Sequence, residues 1–127
     1  MSHERRRVLV VDHDPVAGLR IDRQLEALGW ESVYVSNAAG AIGIVTFGFI
    51  IDVLLTHIAP PDLDGLTLAR LVTKRSPSTR VAFMSDEMTS TPRQPRDVPL
   101  LLKPFTTIAL ADALAGAISV PPNHPAT

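Results

Sequence analysis

A chain of 127 residues, 46% of them hydrophobic, is long enough for one ordinary domain with a real core. Its formal net charge of −1 gives no global attraction to nucleic acid or membrane, and the lack of cysteine excludes disulfides and thiolate metal sites. No apolar run approaches the roughly 18 residues of a membrane span.

The N-terminal residues run straight into a strand-like segment, without the apolar stretch of a signal peptide, so a cytoplasmic location is expected. Arg5-Arg6-Arg7 reads as the solvated flank of a strand rather than a nucleic-acid patch. Val8-Leu9-Val10-Val11 is a continuous apolar strand that stops at Asp12-His13-Asp14-Pro15. Asp14 suits a helix N-cap and Pro15 a first helical residue. The helix to about Leu28 sets Ile21, Leu25 and Leu28 on one face and Arg20, Arg23 and Glu26 on the other, with Gly29 closing it. Ser32-Val33-Tyr34-Val35 is a second strand. Asn37 caps a helix to about Phe47, with Ala38, Ala41, Ile42 and Val45 toward the sheet and glycines at 40, 43 and 48 weakening it.

The run Ile50-Ile51-Asp52-Val53-Leu54-Leu55 opens a third strand, with His57 at its carboxyl end. A loop rich in Pro, Asp and Gly follows, then a helix from about Leu66 to Arg75 with Leu68, Leu71 and Val72 on one side. Val81 to Met84 is a fourth strand and Leu100 to Leu102 a short fifth. Between them Glu87 to Pro99 carries three prolines, which predicts a shortened or irregular fourth helix. Thr106 caps a last helix from Thr107 to about Ile118, whose core stripe is Leu110, Leu114, Ala117 and Ile118. Residues 1–120 are expected to form one domain, and 121–127 a flexible, proline-rich tail.

Strands alternating with helices predict an α/β, doubly wound, five-stranded parallel sheet with helices on both faces. The flavodoxin-like order 2-1-3-4-5 puts the first and third strands side by side at a switch point, where function gathers. That order brings Asp12, His13 and His57 together, with Ser85 and Lys103 arriving from the fourth and fifth strands.

The stretch Val8-Leu-Val-Val-Asp-His-Asp-Pro15, the loop Pro61-Asp-Leu-Asp-Gly65, Met84-Ser85 and Lys103-Pro104-Phe105, in this order and spacing, resemble the response-regulator receiver domains of two-component signalling. The resemblance covers about Arg7 to Ile118. Such receivers hold magnesium with two adjacent acids after the first strand; here these positions are Asp12 and His13. The phosphate-accepting aspartate lies eight residues before the glycine of the Asp-Gly pair, a place taken by His57. The resemblance also assigns the phosphate-following hydroxyl to Ser85, the charge-neutralising lysine to Lys103 with a cis bond to Pro104, and the aromatic switch position to Leu100. Asp86 stands where a small residue is usual.

Aspartyl phosphorylation needs a carboxylate nucleophile and a hard cation. With histidine at 13 and 57 no acyl phosphate forms at 57, and magnesium binding is expected to be weak or lost, leaving no cofactor. His57 then has four readings: a space-filling residue in a degenerate pocket, a pH sensor, a transition-metal ligand with Asp12 and His13, or a phosphoryl acceptor itself or beside a nearby acid. The first is preferred. Lys103 is expected to pair with Asp12, while Asp62 and Asp64 serve as loop caps. Trp30 is read as packing. The chain is therefore expected to be a stand-alone, non-enzymatic receiver-like module. It would work through phosphorylation-independent contact with a histidine kinase, a phosphotransfer protein, another regulator or a second copy as homodimer, with no nucleic acid or membrane partner.

Overall fold

The computed structural model describes residues 6–58, 62–86 and 98–119. They fold in the order β1 (Arg7–Val11), α1 (Pro15–Ala27), β2 (Glu31–Val35), α2 (Ala38–Phe47), β3 (Val53–His57), α3 (Gly65–Arg75), β4 (Arg80–Asp86), β5 (Leu100–Lys103) and α4 (Thr107–Ser119). The five strands make one parallel sheet in the order β2-β1-β3-β4-β5, as the alternating pattern predicts. The expected irregular helix within Glu87–Pro99 and the tail 121–127 lie outside the described residues, save Val98 and Pro99.

The inner strands β1, β3 and β4 are apolar on both faces because helices cover both. Val8 and Val10 of β1 join Val53 and Leu55 of β3 beneath Ile21 and Leu25 of α1 and Leu110 and Leu114 of α4. Leu9, Val11 and Leu54 point the other way, into a cluster with Ala38, Ala41 and Val45 of α2 and Leu68 and Val72 of α3. The side-chain period of two thus feeds two cores from one sheet.

Local signals set the helix ends. The Asp14 carboxylate accepts from Val16 N at 3.0 Å, the Asn37 amide oxygen from Gly40 N at 2.8 Å and the Thr106 hydroxyl from Ala109 N at 3.0 Å. Gly29 follows α1 with φ 86°.

Three details differ from the sequence reading. β3 begins at Val53, not at Ile50; Ile50 is exposed in the connection after α2, while Ile51 is buried. A run of apolar residues does not reveal where pairing starts, and Asp52 rather than Ile50 meets the sheet, accepting from Arg7 N at 2.8 Å. Gly48 does not weaken α2 from within but ends it in the left-handed region at φ 107°. On α3, Gly65, Leu68, Ala69 and Val72 are the buried positions and Leu71 is only half-buried, because Leu68, Ala69 and Val72 already fill the arc facing the sheet.

Candidate functional site

The carboxyl ends of β1, β3, β4 and β5 converge on one pocket. Asp12 leaves β1, His57 ends β3, Ser85 and Asp86 end β4 and Lys103 ends β5. Register fixes their neighbours: Val11 lies opposite Thr56, His57 opposite Met84, and Asp86 opposite Lys103.

Asp12 is fully buried. Its Oδ2 receives Lys103 Nζ at 2.7 Å, and its Oδ1 accepts from Asp14 N at 3.0 Å. A buried carboxylate requires such compensation, since desolvation of an unpaired charge is severe. Lys103 comes in just before a cis peptide bond to Pro104. Asp12 and Lys103, expected to pair, do so.

His57 is buried, and its Nε2 lies 3.7 Å from Oδ1 of the exposed Asp86. Its ring stands edge-on to that of His13, with centroids 6.2 Å apart. His13 is largely exposed, and its Nδ1 is 3.8 Å from Asp12 Oδ1. Ser85 is buried and its hydroxyl donates to Asp86 O at 3.3 Å. Leu100 is half-buried and packs on the α2–α3 side of the sheet. All the sequence-assigned residues except Leu100 therefore gather at the pocket. Among the described residues no three His, Asp or Glu side chains form a group poised to hold a metal ion. Asp12, His13 and His57, the weak metal candidates, are brought near one another without forming such a group.

Glycine decides how closely the next loop approaches His57. A Cβ on Gly65 would lie 2.6 Å from Ile58 O and 2.7 Å from His57 O, so only glycine lets α3 start there, with Gly65 N donating to Ile58 O at 2.9 Å. Asp62 in the same loop reaches α2 instead of its own helix. Its two carboxylate oxygens accept from Ala38 N at 2.9 Å and Ala39 N at 3.1 Å. Those bonds, that from Ala38 first, hold the Asp62 carboxyl below its ordinary range. The loop-cap reading of Asp62 holds, but the helix capped is a distant one. Asp64 sits at the N-cap of α3 without a side-chain cap bond there.

Tyr34 is the site residue that sequence reading missed. Its hydroxyl donates to Asp12 O at 2.5 Å, fixing the turn that carries Asp12 and His13. Burial, reinforced by the Asp12 and Asp14 carboxylates, pushes its phenol above the ordinary value. Gly18 gives the ring room: a Cβ there would lie 2.5 Å from Tyr34 Cε1. A tyrosine in a strand carries no signal of such a bond.

A doubly wound sheet in this order, with an acid after β1, a hydroxyl at the end of β4 and a lysine at the end of β5, is the arrangement expected of a receiver-type domain. No protein-family model matches the chain. In sequence it is 28% identical over 104 residues to the response regulator receiver protein CpdR of Brucella abortus, covering 79% of this chain and 86% of that one. In structure it is similar to a response regulator receiver protein from Sinorhizobium medicae, at 25% identity and a TM-score of 0.78, over 94% of this chain and 98% of that one. A receiver domain protein from Clostridium thermocellum gives 25% identity and a TM-score of 0.74, over 89% and 94%. In sequence and in structure the chain is thus similar to response-regulator receivers of two-component signalling, and its fold is flavodoxin-like. Among the described residues no helix is long and apolar enough to cross a membrane.

Proposed function

We propose that this receiver-like domain signals through protein–protein contact that does not depend on phosphorylation, because His57 takes the place that the receiver resemblance gives to the acceptor aspartate. The supporting observation is the pocket beside His57: an imidazole ends β3, and Asp12, the one buried carboxylate among the described residues, is already neutralised by Lys103 at 2.7 Å. In a phosphorylatable pocket that ammonium would be left to meet incoming negative charge.

The donor set also argues against a resident magnesium ion. A hard dication takes near-octahedral oxygen ligands. Asp12 is engaged with an ammonium, His13 and His57 present nitrogen, and the Asp14 carboxylate is committed to the start of α1. These residues do not fit magnesium. The exposed Asp86 carboxylate beside His57 adds negative charge at the mouth and opposes an incoming phosphate.

The module acts by binding a protein, such as a histidine kinase, a phosphotransfer protein or another regulator. Incubation with acetyl phosphate and magnesium, followed by intact-protein mass measurement, tests the reading. An unchanged mass is expected. A stoichiometric adduct of one phosphoryl group overturns it, and its loss in His57→Asn would assign the acceptor to His57.

A further inference from the structure

The outer face of α2 and the turn after it form a surface that nothing in the pocket uses. From Asn37 to Ile51 the chain contains no charged residue and no histidine. Ala38, Ala41 and Val45 of α2 face the sheet, while Ala39, Gly43, Thr46 and Phe47 face outward. Phe47 is 82% exposed and stacks on Phe49, itself 45% exposed, with ring centroids 5.6 Å apart; Ile50 beside them is 66% exposed. A surface helix ordinarily turns charged residues outward. Continuous apolar surface of this kind marks a contact with another molecule.

Charge on the rim says which molecule. At the amino end of α2 lie the exposed acids Asp62 and Asp64. α3 packs beside α2 and runs the same way, so the exposed Lys74 and Arg75 that end it lie near the Phe47 end. Arg6 is exposed at that end too; of the acids there, Glu31 is paired with Arg7 at 3.0 Å and Asp52 accepts from Arg7 N, while Asp22 and Glu26, which share a cavity with Phe49, belong to α1 on the other side of the sheet. On the α2–α3 side, one end of the patch is therefore acidic and the other basic. Two copies laid antiparallel set each acidic end against a basic one, twice.

We infer that this face is the interface of a homodimer, in which α2 packs antiparallel on α2 of a second copy about a two-fold axis near Gly43. Gly43 lies at the middle of Ala38–Phe47 and has nothing within 4 Å of a would-be Cβ. The fold itself has no need of it, although glycine inside a helix costs about 1 kcal/mol relative to alanine. At the axis its bare backbone allows close approach. Ala39, Gly43 and Phe47 form one i, i+4 ridge. The two-fold then seats the Phe47 ring of each copy over Ala39 of the other, large against small. The surface is self-complementary in this orientation, whereas a parallel pairing would stack Phe47 on Phe47 and like charge on like charge.

Sedimentation velocity on the whole chain from about 1 to 500 µM, the range of weak to moderate association, tests this. The expected mass rises from monomer toward dimer with concentration. Phe47→Glu, a change at an exposed site that leaves the circular dichroism spectrum intact, weakens dimerisation at least about a hundredfold by placing a charge in an apolar contact. The pair Lys74→Glu and Arg75→Glu weakens it about tenfold, and added salt weakens the unmodified dimer. Ile108→Glu, on α4 across the sheet, leaves it unchanged. A chain monomeric throughout overturns the inference, even if a different helical partner is later found to bind Phe47. So does a dimer indifferent to Phe47→Glu, or one dissolved by Ile108→Glu.

Discussion

Asp12 and Lys103 make one ion pair, but the two partners are not equivalent. Asp12 is wholly buried, whereas 17% of the Lys103 side chain remains exposed. Removing the lysine strands a carboxylate in the interior; removing the acid leaves an ammonium that swings toward water. Lys103→Met is therefore expected to destabilise by about 3–5 kcal/mol, the range for breaking a buried pair. Asp12→Asn keeps an oxygen for Asp14 N and should cost only about 1–2 kcal/mol. Urea unfolding of the two variants decides; equal losses, or the reverse order, would mean that the pocket is wetter than its burial indicates.

At the scale of elements, the loop after β3 is fastened to two helices by different chemistry. Gly65 lets α3 begin against the backbone of His57 and Ile58, and Asp62 clasps the first N–H groups of α2. The clasp is pH-dependent in a defined sense. The folded-state pKa of Asp62 lies below its ordinary 3.8, so the unfolded chain takes up the proton first. Its contribution is complete above about pH 4 and is lost as pH falls through the depressed folded value. Asp62→Asn retains an acceptor but no titrating group there. The urea midpoints of the parent and Asp62→Asn should differ near neutral pH and draw together as the pH drops toward about 2. A gap that stays constant across that range would show that the carboxylate charge adds nothing to the cap.

For the whole molecule, sheet order is what assembles the pocket. Asp12, His57 and Lys103 are far apart in the chain and meet because β1, β3 and β5 present their carboxyl ends together. If the scaffold is that of a receiver and only the donor set has changed, then rebuilding the acids rebuilds the cation site. The double variant His13→Asp, His57→Asp is expected to bind magnesium at least about tenfold more tightly than the parent, read by titration calorimetry, since added carboxylate ligands set affinity in such sites. A folded double variant with unchanged binding would assign the obstruction to Lys103 on Asp12 or to the Asp86 carboxylate. A triple variant adding Asp86→Ala separates those two.

Much of this was written locally in the chain. Alternating apolar runs and helical periods, the caps at Asp14, Asn37 and Thr106 and the glycine after α1 depend on residues within a turn of one another, and the element order with its parallel sheet follows from them. So does the arrival of Asp12, His57, Ser85 and Lys103 at one edge. Of the bonds made there, Lys103 to Asp12, across 91 positions, was expected once both residues were placed at that edge, whereas Asp62 to Ala38, across 24, and Tyr34 to Asp12, across 22, were beyond sequence. The exposure of Ile50 and Phe47 belongs with them, since burial depends on what packs nearby in space. Periodicity tells which side of an element faces the core, because it is a property of consecutive residues; which side chain reaches which partner depends on how packed layers align, and that was decided only when the sheet closed between its two layers of helices.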